Sequence, residues 1–218
     1  MSFNVFLVAI SVPGYLQIPD LSDFVVLEGS IHGKGSTAEI VKGTLKYPPK
    51  TQVAVKFIDP KETSVDLFRY EVSIMGKLPK SHPNLVQILG FSEEPRRCIV
   101  MKFYPYSLRT LLNSVLSERT LGIRYAILSD IASGMHAIHS KHIIHFDLKP
   151  GNILIEIQED GSFTCRICDF GYAKFQLDSG NLQLVAGMKT PKVNGLTIRY
   201  AAPEVNQKML TIPIILNC

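Results

Sequence analysis

The sequence predicts an α+β protein built as two lobes, a β-rich first one and a mostly helical second one. Three observations carry that reading. Runs of β-branched and aromatic residues recur at 24–27, 40–45, 53–58, 86–91 and 98–103, enough for one small five-stranded sheet. A single amphipathic stretch interrupts them: within 61–78, Val65, Phe68, Val72, Met75 and Leu78 fall at three- and four-residue intervals before Pro79, the pattern of one helix and its stop. Past Pro105 the period changes, and 108–116 and 122–140 both read as helices.

In the second helix Ile123, Ile127, Ile131, Met135 and Ile138 form one apolar stripe, with Asp130 and His136 outside it. Two short strands follow, at 153–157 and 164–167, joined by the turn chemistry of Glu159-Asp160-Gly161. Residues 169–204 show little periodicity and many Gly, Lys and polar residues, which reads as a long functional loop. Lys174, Lys189 and Lys192 on it are expected on a solvated face.

Bulk properties narrow the partners. The chain has 218 residues and 46% hydrophobic content, enough for one substantial core or two small lobes. The net charge of +4 comes from 23 basic and 19 acidic residues spread along the chain. No basic block is dense enough for a nucleic-acid arm. The four cysteines have no framework spacing, and Cys165-x-x-Cys168 lacks the second pair a zinc site needs. Alternation puts Cys165 and Cys168 on opposite faces. A reducing, cytoplasmic setting is the simpler expectation. Residues 3–12 are apolar but lack a basic flank and are too short to span a bilayer, so they read as a strand or tail, with a signal peptide as the alternative, and no membrane span is expected.

The residues that suggest chemistry come in a fixed order. His145-Phe146-Asp147-Leu148-Lys149-Pro150-Gly151-Asn152 sets an acid and an amide five residues apart on one loop. Asp169-Phe170-Gly171 follows the predicted hairpin, which would turn its carboxylate back toward that amide across a shared metal ion. Upstream, Val53-Ala54-Val55-Lys56 supplies a lysine from a strand, and Glu71 lies beside the inward stripe of the next helix, placed to pair with it. A glycine loop, Gly33-Lys34-Gly35-Ser36-Thr37-Ala38, precedes them all. Backbone amides, a lysine, metal ligands and a carboxylate near an attacking hydroxyl are what phosphoryl transfer asks of a protein. A dinucleotide fingerprint is the alternative for G-x-G-x-x-A, but it needs a helix straight after the glycines, and 40–43 continues as strand.

Together these motifs resemble the protein kinase family over about residues 24–204. The resemblance implies a two-lobed kinase-like fold with ATP and Mg²⁺ as cofactors and a protein substrate. It makes Asp147 the catalytic base, sets Lys149 on the γ-phosphate, and gives Asn152 and Asp169 the magnesium. It sets Lys56 on the α- and β-phosphates, oriented by Glu71. Ile31, Gly33, Lys34, Gly35 and Ser36 would cover the nucleotide, with Ile40, Ala54 and Leu154 around the adenine. Met101 would guard the back of that pocket, and the hinge containing Lys102, Phe103 and Tyr104 would bond the base. Met75, Ile88, His145 and Phe170 match the family's hydrophobic column.

The implied organisation is an N-terminal segment at 1–20, an N-lobe with hinge at 21–104, a partial C-lobe at 105–204 and a divergent tail at 205–218. After Val205 the sequence leaves the family's pattern. The helical lobe is therefore expected to be incomplete, with the 122–140 stripe partly uncovered. Lys149-Pro150 and Thr197 resemble serine/threonine kinases, and 196–204, Gly43-Thr44-Leu45 and His82-Pro83-Asn84 resemble their tyrosine-kinase-like branch. The alternative is a truncated, catalytically impaired module that binds nucleotide or partner proteins.

Two positions depart from the pattern. Alanine stands where the third glycine is usual, which restricts the loop without filling it. Phe146 replaces the usual arginine before the catalytic aspartate, and it offers no charge-assisted bond to a phosphate on the long loop. Phosphorylating Ser179 or Thr190 is therefore expected to change the transfer rate little; comparing phosphorylated and dephosphorylated protein checks this, and a large gain contradicts it.

Overall fold

The computed structural model describes residues 16–34, 38–114, 121–176 and 200. The apolar run at 3–12, Gly35, Ser36, Ser179, Lys189, Thr190, Lys192, Thr197, Glu204 and the tail at 205–218 lie outside the described residues, as do the side chains of Ile31 and Lys34. The chain divides into two compact units, one reaching Lys80 and resuming over Gln87–Phe103, the other formed by Ser81–Val86 and the chain from Tyr104 onward.

The first unit is a six-stranded sheet with two helices. Its strands are β1 (Leu16–Gln17), β2 (Val25–Lys34), β3 (Ala38–Leu45), β4 (Gln52–Ile58), β5 (Ile88–Ser92) and β6 (Cys98–Lys102), in the order β1-β5-β6-β4-β3-β2. The two-residue β1, paired parallel to β5, is too short to leave a pattern in the sequence. Phe24, expected to begin a strand, instead ends the short helix α1 (Leu21–Phe24). Asp20 caps that turn by accepting a 2.8 Å bond from Ser22 N. Val41, Val53, Val55, Phe57, Cys98 and Val100 point to one face of the sheet and form a core with Ile18, Leu21 and Val25.

Helix α2 (Val65–Lys77) starts later than the periodicity suggests. Residues 59–63 are already committed to a turn around Asp59, which accepts from Lys61 N at 2.8 Å through its side chain and from Thr63 N at 3.0 Å through its carbonyl. Ser64 then caps the helix through Leu67 N, and Leu78 ends it.

The second unit contains β7 (Tyr106–Ser107), α3 (Leu108–Ser114), α4 (Leu121–His139), β8 (Ile143–Ile144), β9 (Ile153–Ile157), β10 (Phe163–Ile167) and β11 (Lys174–Phe175). Its sheets are β10-β9-β7 and β11-β8. Leu108, Ile127, Ile153, Ile155 and Cys165 make its core, with Ile123 and Ile131 partly buried against them, so the α4 stripe is covered only in part. The exposed apolar residues of α4 are Leu121, Tyr125 and Leu128, on the far side of the helix. No helix among the described residues is long and apolar enough to cross a membrane.

Asp130, outside the apolar stripe, accepts the backbone N–H of Cys165 on its Oδ2 at 2.8 Å, satisfying a donor on the edge strand β10. One expectation is corrected here. Lys174 is not on a solvated face but buried, paired in β11 with Ile144, and burial pushes its ammonium pKa down. Cys165 and Cys168 are both buried free thiols, and desolvation pushes Cys165 up to about 12, which makes it a poor nucleophile.

The segment Ser81–Val86 joins this unit through β10. Ile167 N donates to Asn84 O at 2.9 Å, Val86 N to Ile167 O at 2.9 Å and Asn84 Nδ2 to Cys165 O at 3.2 Å. Gly134 of α4 lets the segment approach so closely: a β-carbon there would stand 2.7 Å from Asn84 O and 2.8 Å from Ile167 Cδ1. Because a backbone oxygen cannot swing aside, Gly134→Ala is expected to destabilise the fold by about 1–3 kcal/mol, the usual cost of overpacking. Urea unfolding measures it, and an unchanged midpoint rules the close packing out.

Candidate active site

In the first unit, register decides which side chains share a face. Ile40 pairs with Lys56, Lys56 with Ile99, and Ala54 with Met101. Directly opposed residues project the same way, so Ile40, Ala54, Lys56 and Met101 line the face opposite the Val53–Val55–Phe57 core. Lys56 Nζ meets Glu71 Oε1 of α2 at 2.8 Å, with both side chains about nine-tenths buried. Such a pair gains its Coulomb energy in a low dielectric and loses most of it to desolvation, but an orphaned partner would cost several kcal/mol. The Lys42–Glu28 pair at 3.4 Å is more exposed and worth at most about 1 kcal/mol.

Ala38, at the third-glycine position, is the first residue of β3 and pairs with Ile58. Its backbone is extended, which alanine adopts freely, so the substitution carries no strain there. At the expected hinge, Lys102 N donates to Gln87 O at 2.9 Å and Phe103 N to Gln52 O at 3.1 Å, which commits those two N–H groups. Lys42 Nζ lies 5.0 Å from the centre of the Phe103 ring.

In the second unit, Asp147 is buried and held from two sides. Lys149 Nζ lies 2.6 Å from its Oδ2 and Asn152 Nδ2 donates to the same oxygen at 2.9 Å, while also donating to the Asp147 carbonyl at 2.9 Å. Pro150–Asn152 forms a single 3-10 turn, closed by Asn152 N on Lys149 O at 2.9 Å, which brings the amide back to the acid. The five-residue spacing read from the sequence is thus a closed local ring.

Cys168 ties this loop to Asp169. Its N–H donates to Asn152 O at 2.9 Å, and its carbonyl accepts from His145 Nε2 at 3.0 Å. The other ring nitrogen, Nδ1, accepts from Asp147 N at 3.2 Å. His145 therefore needs a proton on Nε2 and a lone pair on Nδ1, the neutral imidazole. Burial pushes its pKa below the ordinary histidine value, in the same sense. Its ring packs on Phe170 with centroids 5.3 Å apart. Phe146 and Asp169, on either side of the clamp, have φ of 62° and 65°. Left-handed backbone at non-glycine residues costs on the order of 1 kcal/mol or more and persists only where the surroundings impose it.

A magnesium ion fits this donor set. The Asn152 Nδ2 is committed to Asp147, which leaves its Oδ1, a hard neutral oxygen, as the group it can offer a cation; Asp169 would supply a carboxylate oxygen. Among the described residues no three His, Cys, Asp or Glu side chains gather into a metal cage. Nucleotide-bound magnesium takes only one or two ligands from a protein, the phosphates and water supplying the rest.

The predicted site residues thus fall into two groups. Ile40, Ala54, Lys56, Glu71, Met101 and Phe103 belong to the first unit; Tyr104, Asp147, Lys149, Asn152, Leu154 and Asp169 belong to the second. Gly33 lies on β2, opposite Ile40.

The sequence reading missed Arg166. Its Nε donates to Glu156 Oε2 at 2.7 Å, its NH1 to Leu85 O at 3.1 Å, and its guanidinium carbon lies 5.5 Å from the centre of the Tyr104 ring. Alternation along β10 marks Arg166 as pointing away from the core formed by Cys165. Nothing in the sequence says that the carbonyls of 82–85 and an aromatic ring wait on that side.

Comparison with known proteins follows this geometry. Residues 27–212 match the family model described as the protein kinase domain, a match that extends past Glu204. A mimivirus protein named as a serine/threonine-protein kinase/receptor, from Acanthamoeba polyphaga mimivirus, is 35% identical over 203 residues, covering 89% of this chain and 11% of its own. The dual specificity protein kinase zakA of Dictyostelium discoideum is 31% identical over 193 residues, covering 79% and 23%. A serine/threonine-protein kinase of Arabidopsis thaliana is 32% identical over 176 residues, covering 78% and 28%. The chain therefore spans between about a tenth and just over a quarter of the length of these relatives. Matched along most of its length by the domain model and at these identities by its relatives, the chain belongs to the protein kinase family.

Proposed function

We propose that this chain moves the γ-phosphate of ATP onto the hydroxyl of a protein serine or threonine, as a member of the tyrosine-kinase-like branch acting in the cytoplasm. The observation that supports this most is the buried Asp147 carboxylate, held by Lys149 at 2.6 Å and Asn152 at 2.9 Å. A carboxylate so fixed cannot rotate away from an incoming hydroxyl, and that orientation is what a general base needs. The Lys149-Pro150 pair and Thr197 support serine or threonine as acceptor, and the residues around Glu204 support the branch.

In this reading the acceptor oxygen bonds to the γ-phosphorus as the bond from that phosphorus to the β-phosphate oxygen breaks, and the hydroxyl proton passes to Asp147. Lys149 stays near enough to both carboxylate and phosphate to offset the charge that develops. Asn152 and Asp169 would hold magnesium, which when bound neutralises the phosphates. Lys56, kept in place by Glu71, would bind the α- and β-phosphates. Ile40, Ala54, Met101 and Leu154 would enclose the base, bonded by the hinge at Phe103 and Tyr104, with Ile31, Gly33, Lys34, Gly35 and Ser36 over the phosphates.

Transfer from labelled ATP to serine/threonine peptides tests this. Asp147→Asn is expected to lower kcat by about 10²–10⁴-fold, the usual contribution of a general base, and equal signals from the two proteins would mean no intrinsic activity. The pair in the first unit gives a separate check. Glu71→Ala should cost about 3–5 kcal/mol of stability by stranding Lys56. The apolar double variant Lys56→Met with Glu71→Leu should recover most of that in urea unfolding but not ATP turnover. Recovery of both would make the pair merely structural.

A further inference from the structure

The turn that carries Asn152 has a bare position at Gly151, and a side chain from another element lies over it. A β-carbon built on Gly151 would stand 3.7 Å from Arg109 Nε, 4.0 Å from its Cζ and 4.0 Å from Lys149 Cε. Two cationic side chains, one from α3 and one from the loop of Asp147, therefore meet over one patch of backbone. They are not equivalent. The Lys149 ammonium is matched by the Asp147 carboxylate at 2.6 Å. Arg109 is exposed, and among the described residues no carboxylate pairs with it. The patch thus carries an uncompensated positive charge beside the proposed base.

We propose that Arg109 is a specificity-determining residue that recognises an anionic side chain, carboxylate or phosphate, close in sequence to the acceptor hydroxyl of a protein substrate. This rests on the reading of Asp147 as the base that receives the acceptor. With that hydroxyl at Asp147, Lys149 leads directly from the acceptor to the Gly151 patch. An extended peptide advances about 3.3 Å per residue, so a side chain within a few positions of the acceptor reaches the guanidinium. The arginine fork matches the two oxygens of a carboxylate or phosphate. A lysine or arginine of the substrate at the same place would meet the like charge of Arg109.

Gly151 belongs to the same device. A residue with its own carboxylate there would neutralise Arg109 from within the chain. The backbone permits one, because Gly151 does not have a left-handed φ and its nearest neighbours are at ordinary contact distance. Glycine keeps the guanidinium available to the substrate instead.

The test uses the full chain and fluorescent peptides with one central serine. Glutamate, phosphoserine, alanine or lysine is placed in turn at each of the flanking positions. At one register the glutamate and phosphoserine peptides should bind about three- to tenfold more tightly than the alanine peptide, as a partly exposed arginine–anion contact allows. The lysine peptide should bind more weakly, and added salt should narrow the spread. Comparing glutamate with phosphoserine separates a carboxylate preference from a phosphate preference. Arg109→Ala and Gly151→Glu, each verified as folded by its thermal melt, should both abolish the discrimination. Equal binding of all peptides by the unaltered chain overturns the proposal, as does a preference that survives Arg109→Ala. Labelled ATP with the same peptides tells the two readings apart: absence of transfer with the binding preference intact sinks the phosphotransfer reading and leaves anion recognition by Arg109 standing.

Discussion

The backbone of Cys168 is the point on which the second unit's chemistry hangs. Its N–H is bonded to the carbonyl of Asn152 and its carbonyl to the imidazole of His145, at 2.9 and 3.0 Å. These two bonds join the strand that delivers Asp169 to the loop that delivers Asp147. Both are buried, where a hydrogen bond has no water to compete with it and a broken one leaves a costly orphan. Next to this clamp Asp169 and Phe146 have φ of 65° and 62°, left-handed backbone that persists at non-glycine residues only where the surroundings impose it. His145 serves the clamp only as the neutral ring, and its burial keeps it so.

Around this clamp the unit is braced from its edges. The edge strand β10 would expose unpaired backbone groups, but Asp130 takes the N–H of Cys165, Asn84 takes its carbonyl, and Asn84 and Val86 bond to Ile167. Arg166 reaches from the same strand to Glu156 and to the carbonyl of Leu85. Polar side chains and a borrowed loop thus complete what a further strand would otherwise supply. In the first unit a different logic holds. One face of the sheet is filled by valines, and the other carries a charged pair whose two members come from a strand and a helix. The lysine stays fixed because burial makes any departure from Glu71 expensive.

Most of the secondary structure was legible in the sequence because each element buries one face and so shows its period. The hairpin of β9 and β10 and the helix α4 lie where alternation and the Ile127–Ile138 stripe put them. Elements that owe their existence to a partner were not legible. The strand β1 is two residues long, β11 exists only because Ile143 and Ile144 pair with it, and the start of α2 is displaced by a turn around Asp59. Lys174 was misjudged for the same reason: a lysine reads as solvated until a strand partner buries its backbone and the fold its side chain.

What the sequence determined by itself was the inventory and the local geometry of the site. The acid, amide and lysine of the Asp147 loop are close neighbours along the chain, so a single turn of backbone brings them together, and the family of the protein could be read from their order. Tertiary structure alone decided the long-range partners. These include His145 for Cys168, the carbonyls of His82 and Leu85 for Arg166, and Arg109 over Gly151. Their separations along the chain carry no periodic signal, because contacts between distant segments depend on how the core packs rather than on the repeat of any one element.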